Sequence, residues 1–348
     1  MTALRAAPAV GLFLLAPLIG ECLLGNLTVP EMGLLLPLLA PMYGAGALLV
    51  RECARRAGRG HGAMLLLGVA YGLIEEGLVD QMLFNRHYAG HDLMGATCIP
   101  GLGVGGWLTV SVVTMHAVWS TNVGIVIVES LLPAERADGP WLGRTGLAVT
   151  GLVFAGGCAL VWYGNYTDER FVASPWQLGA TAVAVVTLVL YALARPRPRP
   201  RAATVSPWVL GTATLIAGSL FLFTDSLPGW WSATAALALV TAAAVIGHRC
   251  AWSPCHRLAL AGGALLAYAW TGFFEVPESA AGGKGAVDYA ANGVLAAGAV
   301  VVLAVAVRRV GRRGEGVPQP LPQRGHPQVT VSSPGGRGGR WSRGTGSR

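Results

Sequence analysis

The chain has 348 residues, of which 53% are hydrophobic and only 12% are charged, and its formal net charge is +8. In soluble domains about a quarter of the residues are charged, so this composition excludes an ordinary cytosolic enzyme. The apolar residues come in runs of about 17 to 22, the length that a helix needs to cross ~30 Å of hydrocarbon. The sequence therefore predicts an all-α, polytopic integral membrane protein built as a helical bundle.

Ten hydrophobic segments follow one another along the chain. Each is predicted to be a transmembrane helix, because an open strand in lipid leaves its backbone polar groups unsatisfied. The first segment carries Glu21 and lacks a small-residue cleavage site, so we interpret it as a retained span and not as a signal peptide. The segments cover residues 6–24, 33–50, 63–84, 107–129, 146–163, 176–194, 208–224, 230–247, 258–274 and 289–307.

The basic residues lie almost entirely on one side of these segments. With a cytoplasmic N-terminus, the inner loops carry 13 Lys or Arg residues, the outer loops carry three, and the chain from residue 308 adds nine more to the inner side. Lys and Arg near helix ends set orientation, so both termini are predicted to be cytoplasmic. The predicted partners are the lipid bilayer and the anionic headgroups at its cytoplasmic face, and no nucleic acid is expected.

Composition divides the chain into four parts. An Arg-Pro repeat opens a stiff cytoplasmic connector, residues 195–207, between segments 1–6 (residues 1–194) and segments 7–10 (residues 208–307). Residues 308–348 are rich in Gly, Pro, Ser and Arg and are predicted to be a disordered basic cytoplasmic tail. The single Lys and 49 Gly residues are typical of a GC-rich bacterial genome, which favours a plasma membrane.

Charged residues within the segments indicate where a functional site lies, because placing an ionised side chain at mid-bilayer costs ~2.5–3.5 kcal/mol of insertion free energy. Segment 3 contains Glu75, Glu76 and Asp80, and segment 4 contains His116. If the two helices are antiparallel neighbours, counting residues places these groups at one depth, ~12–15 Å below the outer surface. Glu21 of segment 1 falls in the same outer half, so a polar site is predicted among segments 1, 3 and 4.

Three further features of this region complete the prediction. Asn122 lies about 120° around segment 4 from His116, so both side chains reach one ligand only if the helix bends locally. Glu129, near the inner end of segment 4, is expected to snorkel or to meet an arginine of the next loop.

Residues 93–106 are apolar, contain five glycines and are too short for a span. They are predicted to form an interfacial or re-entrant outer loop that caps the Glu–His site, or a plain mobile loop.

Three functions fit these buried groups. The first is transport or permeation of a small solute or proton, because carboxylates and imidazole in a membrane can relay protons. The second is a metal-dependent intramembrane hydrolase, in which Glu75, Glu76 and His116 are catalytic and His116 with Glu76 binds zinc, the cofactor that only this alternative requires. The third is a non-catalytic membrane scaffold whose Glu–His pair fixes helix register. The residues of the transport path are Glu21, Glu75, Glu76, Asp80, His116 and Asn122.

The string Gly72-Leu73-Ile74-Glu75-Glu76 in a hydrophobic helix resembles the paired-glutamate motif of the CAAX-processing and bacteriocin-processing (CPBP) intramembrane metalloproteases. The resemblance implies that the glutamates activate a water near a metal held by histidines and an asparagine of later helices, here His116 and Asn122. It covers about fifty residues of the chain. The sequence departs from the motif at Asp80, where the family has arginine, and at Ser120, where it has asparagine, and it lacks a second mid-span histidine.

Four more potential metal ligands lie in the loop between segments 8 and 9. They are His248, Cys250, Cys255 and His256, all within nine residues. Thiolate and imidazole bind zinc, but structural zinc sites usually combine a Cys-x2-4-Cys pair with ligands from a separate element. The sequence leaves open whether this loop holds a metal or is a short cytoplasmic turn.

Overall fold

The fold is taken from a computed structural model, which describes residues 3–194, 201–277 and 283–315. Within these ranges the side chains of residues 3–5, 201–202, 248–250 and 314–315 are not described. Most of the Arg-Pro repeat and of the predicted disordered tail therefore lies outside the described residues. The division of the chain at residues 195–207 stays a prediction.

Ten long helices, α1 to α10, make up most of the described chain. Three of them contain a π-helical turn, in which backbone hydrogen bonds span five residues instead of four. They are α1 (Ala3–Pro17, continued by a π turn at Leu18–Cys22), α2 (Val29–Arg56), α3 (His61–Ile74, continued by a π turn at Glu75–Val79), α4 (Gly106–Met115, a π turn at His116–Val123, then Gly124–Ser130), α5 (Arg144–Glu169), α6 (Pro175–Ala194), α7 (Pro207–Leu222), α8 (Trp230–Arg249), α9 (Pro254–Thr271) and α10 (Ala286–Glu315).

Short elements connect these helices. The antiparallel strands β1 (Cys98–Ile99) and β2 (Val104–Gly105) form a hairpin before α4, and β3 (Arg201–Ala202) pairs in parallel with β4 (Cys250–Ala251). The pairing of β3 with β4 joins the start of the α7 segment to the α8–α9 loop. The remaining elements are 3-10 turns at Tyr88–Gly90, Gly95–Thr97 and Thr224–Ser226 and a helical turn at Ala134–Ala137.

Each predicted segment coincides with one of the ten helices, and the all-α membrane architecture is confirmed. Seven of the ten helices in the described ranges are long and apolar enough to cross a membrane; α7 and the apolar part of α1 are shorter, and α9 is not among the seven. The number of ten crossings therefore stays a prediction. Four predicted segment ends are wrong by five residues or more, and two of these are in α2 and α5, which each continue six residues beyond the predicted end. Segment 3 ends at Val79, because the chain turns at Gln81 with a φ of 62°. The last helix continues to Glu315, beyond residue 307, because Arg309 and Arg313 bond to the end of α4.

The helix ends meet in the way that an alternating topology requires. At the inner end, Nη1 of Arg309 donates to the carbonyl oxygen of Leu131 at 2.6 Å, which joins α10 to the loop after α4. At the outer end, Nε1 of Trp107 donates to Oγ1 of Thr224 at 3.0 Å, which joins the start of α4 to the turn after α7. Loops predicted to share a side thus contact one another.

Two apolar clusters meet at α1 and α4. Leu12, Met64 and Ile125 belong to the first, which α1, α2, α3, α4 and α6 form, and Ile127 and Leu265 belong to the second, which α1, α4, α7, α8 and α9 form. Both clusters therefore use α1 and α4, which lie at the centre of the bundle. The helices α5, α6, α8 and α10 leave most of their apolar side chains exposed, which is typical of helices that face lipid.

The helices α3 and α4 approach each other closely at two glycines. A Cβ atom added at Gly68 would lie 2.7 Å from Oγ1 of Thr121 and 3.0 Å from Cα of Ala117. A Cβ atom added at Gly72 would lie 3.1 Å from Cβ of His116. Small residues four apart let membrane helices pack backbone to backbone. This contact brings the imidazole of α4 next to the π turn of α3.

The glycine-rich loop at 93–106 is a compact structure. It contains the β1–β2 hairpin, and the carbonyl of Leu102 accepts a hydrogen bond from Nε2 of Gln177 in α6 at 3.1 Å. A Cβ atom added at Gly106 would lie 3.1 Å from the ring of Trp230 in α8. The loop therefore packs against the outer ends of α6 and α8, and its role as a cap over the Glu–His site stays a prediction.

The topology can be checked with reporter fusions. A reporter fused after residue 201 is expected to be cytoplasmic, because the loop that precedes it is rich in Arg, and one fused after residue 172 is expected to be external. Paired reporters that are each active on one side of the membrane measure both positions. An external signal after residue 201 would contradict the predicted count of segments.

The α3–α4 contact can be checked by adding bulk. The substitution Gly68→Val is expected to lower the free energy of unfolding by ~1–3 kcal/mol, because the new atoms overlap α4. Gly151→Val in α5 is the matched control, since a Cβ atom there meets nothing within 4 Å. Thermal denaturation of the purified variants in detergent measures both, and equal losses would contradict the importance of the contact.

Candidate functional site

The imidazole of His116 lies between two carboxylates of α3. Its Nε2 atom is 2.6 Å from Oε1 of Glu76, and its Nδ1 atom is 3.1 Å from Oε2 of Glu75. The hydroxyl oxygen of Ser120, in the same π turn of α4, is also 3.1 Å from Nδ1. All four residues are at most 8% exposed. Each ring nitrogen therefore faces a carboxylate oxygen in a buried site.

Each helix of the predicted site contains a π turn at its polar residues. Glu75 and Glu76 begin the π turn of α3, His116 begins that of α4, and Glu21 lies in the π turn of α1. Such turns are rare in proteins and are frequent at functional sites. Their coincidence with the buried charges on three separate helices indicates that the irregular backbone belongs to the site.

Glu21 joins the cluster through a tyrosine of α2. The hydroxyl of Tyr43 donates a hydrogen bond to Oε1 of Glu21, and Nδ2 of Asn26 donates to Oε2 at 3.2 Å. The Tyr43 ring lies 5.8 Å from the imidazole of His116, centre to centre. A Cβ atom at Gly20 would lie 2.9 Å from Oγ of Ser120, so α1 also touches α4 here. Four helices, α1 to α4, therefore enclose the site.

Asp80 lies at the outer edge of the site, at the end of the α3 π turn. Its Oδ1 atom accepts a hydrogen bond from the backbone N–H of Met82 at 3.0 Å, and Nδ2 of Asn165 donates to its carbonyl oxygen. The next residue, Gln81, adopts a left-handed backbone that is uncommon for a side chain of its type. Its Oε1 atom accepts from the N–H of Ala173 at 2.7 Å, which fixes this turn against the α5–α6 loop.

The structure brings together Glu75, Glu76 and His116, and it links Glu21 to them through Tyr43. Asn122 is directed elsewhere: its Nδ2 atom donates to the carbonyl of Met64 at 3.2 Å and to that of Ala117 at 2.7 Å. It therefore contacts the backbone of α3 at Met64, eleven residues or about three turns before Glu75.

Sequence reasoning missed two tyrosines beside the imidazole. The ring of Tyr71 lies 5.9 Å from that of His116, and Tyr43 is on the other side at 5.8 Å. Both are buried near the middle of their helices, away from the membrane interfaces where tyrosine is usually found. A buried tyrosine hydroxyl usually lies near polar groups. The position of these two tyrosines in the middle of apolar segments could therefore have indicated that they belong to the polar site.

Glu129 differs from both of its predicted roles. It is 5% exposed, and its carboxylate accepts hydrogen bonds from Nε of Arg51 at 2.9 Å and from Nη2 of Arg55 at 2.6 Å. Nε2 of His61 lies 3.0 Å from Oε2. The two arginines belong to α2 and not to the loop after α4. The reason is that the inner ends of α2 and α4 pack together, and a carboxylate buried there needs cationic partners.

Arg51 also anchors the loop that follows α4. It is fully buried, and Nη2 donates to the carbonyls of Ala137 at 2.8 Å and Gly139 at 2.9 Å. Its guanidinium lies 3.3 Å above the ring of Trp141, and the backbone N–H of Trp141 donates to Oε1 of Glu52 at 2.8 Å. The inner ends of α2, α3 and α4 and this loop therefore form one buried ionic network, which we call the inner cluster.

The second potential metal site gains no support from its described part. The side chains of His248 and Cys250 are outside the described residues, and Cys255 is exposed. Nε2 of His256 lies 2.7 Å from the carbonyl oxygen of Val205. Over the ranges that the structure describes, no group of three or more His, Cys, Asp or Glu residues is disposed to hold a metal ion.

With the site described, comparison with known proteins gives one match. A model described as an uncharacterised membrane protein family matches residues 11–308, which include every helix of the bundle at least in part. The chain belongs to this family. No match to the family of the paired-glutamate proteases was found, so that resemblance remains unconfirmed. No curated protein and no solved structure matches the chain.

Membership of this family and the apolar helices together indicate a multi-pass protein in contact with a lipid bilayer. The plasma membrane, the bacterial source and the contact with anionic headgroups stay predictions.

The inner cluster can be checked by removing its central cation. Arg51→Ala leaves Glu52 buried without its closest partner and is expected to cost ~3–5 kcal/mol of unfolding free energy. The control is Arg86→Ala, because Arg86 pairs with Asp92 at 3.0 Å where both side chains are about half exposed. Thermal denaturation in detergent should give a large shift for the first variant only. Equal shifts would contradict a structural role for the inner cluster.

Proposed function

We propose that the protein conducts protons across the membrane through the cluster of Glu75, Glu76 and His116. One observation carries the proposal: a buried imidazole has a carboxylate oxygen at each of its two nitrogens, 2.6 and 3.1 Å away. Imidazole and carboxylate both change charge when they gain or lose a proton. Ionisable residues within a membrane commonly form proton relays and ion pathways.

The charge balance of the site supports this role. The site contains four carboxyl groups and one imidazole, and none of the ion pairs found in the described ranges joins these carboxyl groups to Lys or Arg. Uncompensated charges of this kind cost several kcal/mol each when they are buried. Protons are the smallest positive charges that can offset them, so the site is suited to bind and exchange protons. The carboxyl groups are those of Glu21, Glu75, Glu76 and Asp80.

Polar groups continue from the site toward the outer surface. Asp80 follows the paired glutamates and bonds to Asn165 of α5. Beyond it, Nδ2 of Asn85 donates to Oε2 of Glu169 at 2.9 Å, near the outer end of α5. In the opposite direction, Ile125 and Ile127 of α4 are fully buried in the apolar clusters. This difference favours a site that exchanges protons with the outer side while its inner side is closed.

The hydrolase alternative needs the same residues in a different arrangement. Zinc sites require three or four ligands around one point. Within the described residues no group of three or more potential ligands has that disposition. Nε2 of His116 hydrogen-bonds to Oε1 of Glu76, and Nδ1 hydrogen-bonds to the hydroxyl of Ser120 and lies 3.1 Å from Oε2 of Glu75, which has no hydrogen-bond partner in the described chain. These contacts support the relay more than the hydrolase.

Proton flux into liposomes tests the proposal. The purified protein is reconstituted with a pH-sensitive dye inside, and a pH gradient is imposed while a potassium ionophore clamps the membrane potential. The wild type is expected to dissipate the gradient. His116→Gln and Glu76→Gln are expected to slow the flux by about tenfold or more, because each removes a group that donates and accepts protons.

Two controls make this result decisive. His87→Gln changes an exposed histidine of the outer loop and is expected to keep the wild-type rate. Elemental analysis of the wild type, Glu76→Gln and His116→Ala tests the alternative. A wild type that conducts no faster than empty liposomes would contradict the proposal. Stoichiometric zinc that is lost in both variants would favour the hydrolase.

A further inference from the structure

A second His–Glu pair joins the same two helices at their inner ends. Nε2 of His61, at the start of α3, lies 3.0 Å from Oε2 of Glu129, near the end of α4. In the outer pair the residue types are exchanged, with Glu76 on α3 and His116 on α4. Each helix thus carries one histidine and one glutamate, about 20 Å apart along its axis.

We propose that His61 is the inner proton-exchange group of the relay, with Glu129 as its fixed anionic partner. This inference rests on the proposed function and adds a second site to it. His61 would exchange protons with the cytoplasm, as the His116 cluster would with the outer side. The side chain of His61 is 17% exposed, whereas that of Glu129 is 6% exposed, so the imidazole is the member of the pair that reaches water.

The charges around His61 single it out as the group that titrates. Arginine stays protonated in proteins, and Glu129 stays ionised because two guanidinium groups hold it. Histidine is the side chain whose charge ordinarily changes near neutral pH. The charged groups that face the pair are Arg51, Glu52, Arg55 and Arg56 of α2, Asp138 of the loop after α4, Arg257 of α9 and Arg313 of α10.

The inner cluster already contains more arginines than carboxylates without a proton on His61, because Arg257 and Arg313 face the pair as well. Arg51, Arg55 and Arg56 pair with Glu52, Glu129 and Asp138 in the contacts that the structure describes. A proton on the imidazole therefore adds one charge, which burial of the ring opposes most strongly and which Arg257 and Arg55 also oppose. The adjacent carboxylate of Glu129, 3.0 Å away, is the contact that favours this proton.

Asn122 lies between the two pairs on α4. It is six residues after His116 and seven before Glu129, so it is about 10 Å from each along the helix. Its Nδ2 atom donates across the interface to the carbonyl of Met64, and its Oδ1 atom is buried without a hydrogen-bond partner in the described chain. A proton that passes from one pair to the other must follow this interface, which close packing at Gly68 keeps shut. Passage therefore requires α3 and α4 to separate.

Flux measurements with the pH varied on one side only test the inference. In liposomes of known protein orientation, wild-type flux is expected to depend on the inner-side pH as well as on the outer-side pH. His61→Gln is expected to lose the inner-side dependence and to conduct about tenfold more slowly, but to keep the outer-side dependence. His256→Gln, a change in an inner-face histidine outside the α3–α4 interface, is the matched control and should keep both.

A second variant separates proton exchange from a structural role. His61→Arg keeps a cation beside Glu129 but cannot release its proton. It is expected to unfold at the wild-type temperature and yet to lack the inner-side pH dependence. If the wild type conducts protons and both His61 variants keep that dependence, the inference is wrong and the proposed function stands. If the wild type conducts none, both proposals are wrong.

Discussion

The close contact between α3 and α4 determines where the other features of the protein lie. At Gly68 and Gly72 the helices approach until a single added Cβ atom would overlap the partner. The same two helices also meet toward each end, where a histidine on one lies against a glutamate on the other. The remaining helices enclose this pair: α1 and α2 complete the outer site, and α2, α9 and α10 contribute arginines near its inner end.

The two ends of this helix pair compensate buried negative charge in different ways. At the inner end, guanidinium groups neutralise Glu129, and the same contacts hold the following loop through Arg51. At the outer end, four carboxyl groups have a single imidazole among them, so protons are the compensation that we propose. Arginine is permanently charged, so the charges at the inner end stay fixed. Imidazole and carboxyl groups bind and release protons, so the charges at the outer end can change.

The sequence predicted the helices, whereas the side of each loop and the depth of the outer cluster stay predictions. These depend on hydropathy, on the distribution of arginine and on a rise of ~1.5 Å per residue, which are all properties of the chain itself. It did not predict that Glu129 binds Arg51 or that Tyr43 bonds to Glu21, because those contacts depend on how α2 packs against distant helices. The predicted angle between His116 and Asn122 assumed a regular α-helix, and the π turn that joins them removes that assumption.

The π turn of α4 has a mechanical consequence. It holds one residue more than the α-helical turn that could replace it, and such a replacement would shift the helix beyond it by about 1.5 Å and rotate it by about 100°. That rotation would turn Glu129 away from Arg51 and Arg55, and with them from the loop that Arg51 anchors. The winding of the backbone around His116 therefore sets the orientation of Glu129 at the inner end of the bundle. A change of winding at the outer site would rotate the inner part of α4 and strain its contacts with α2.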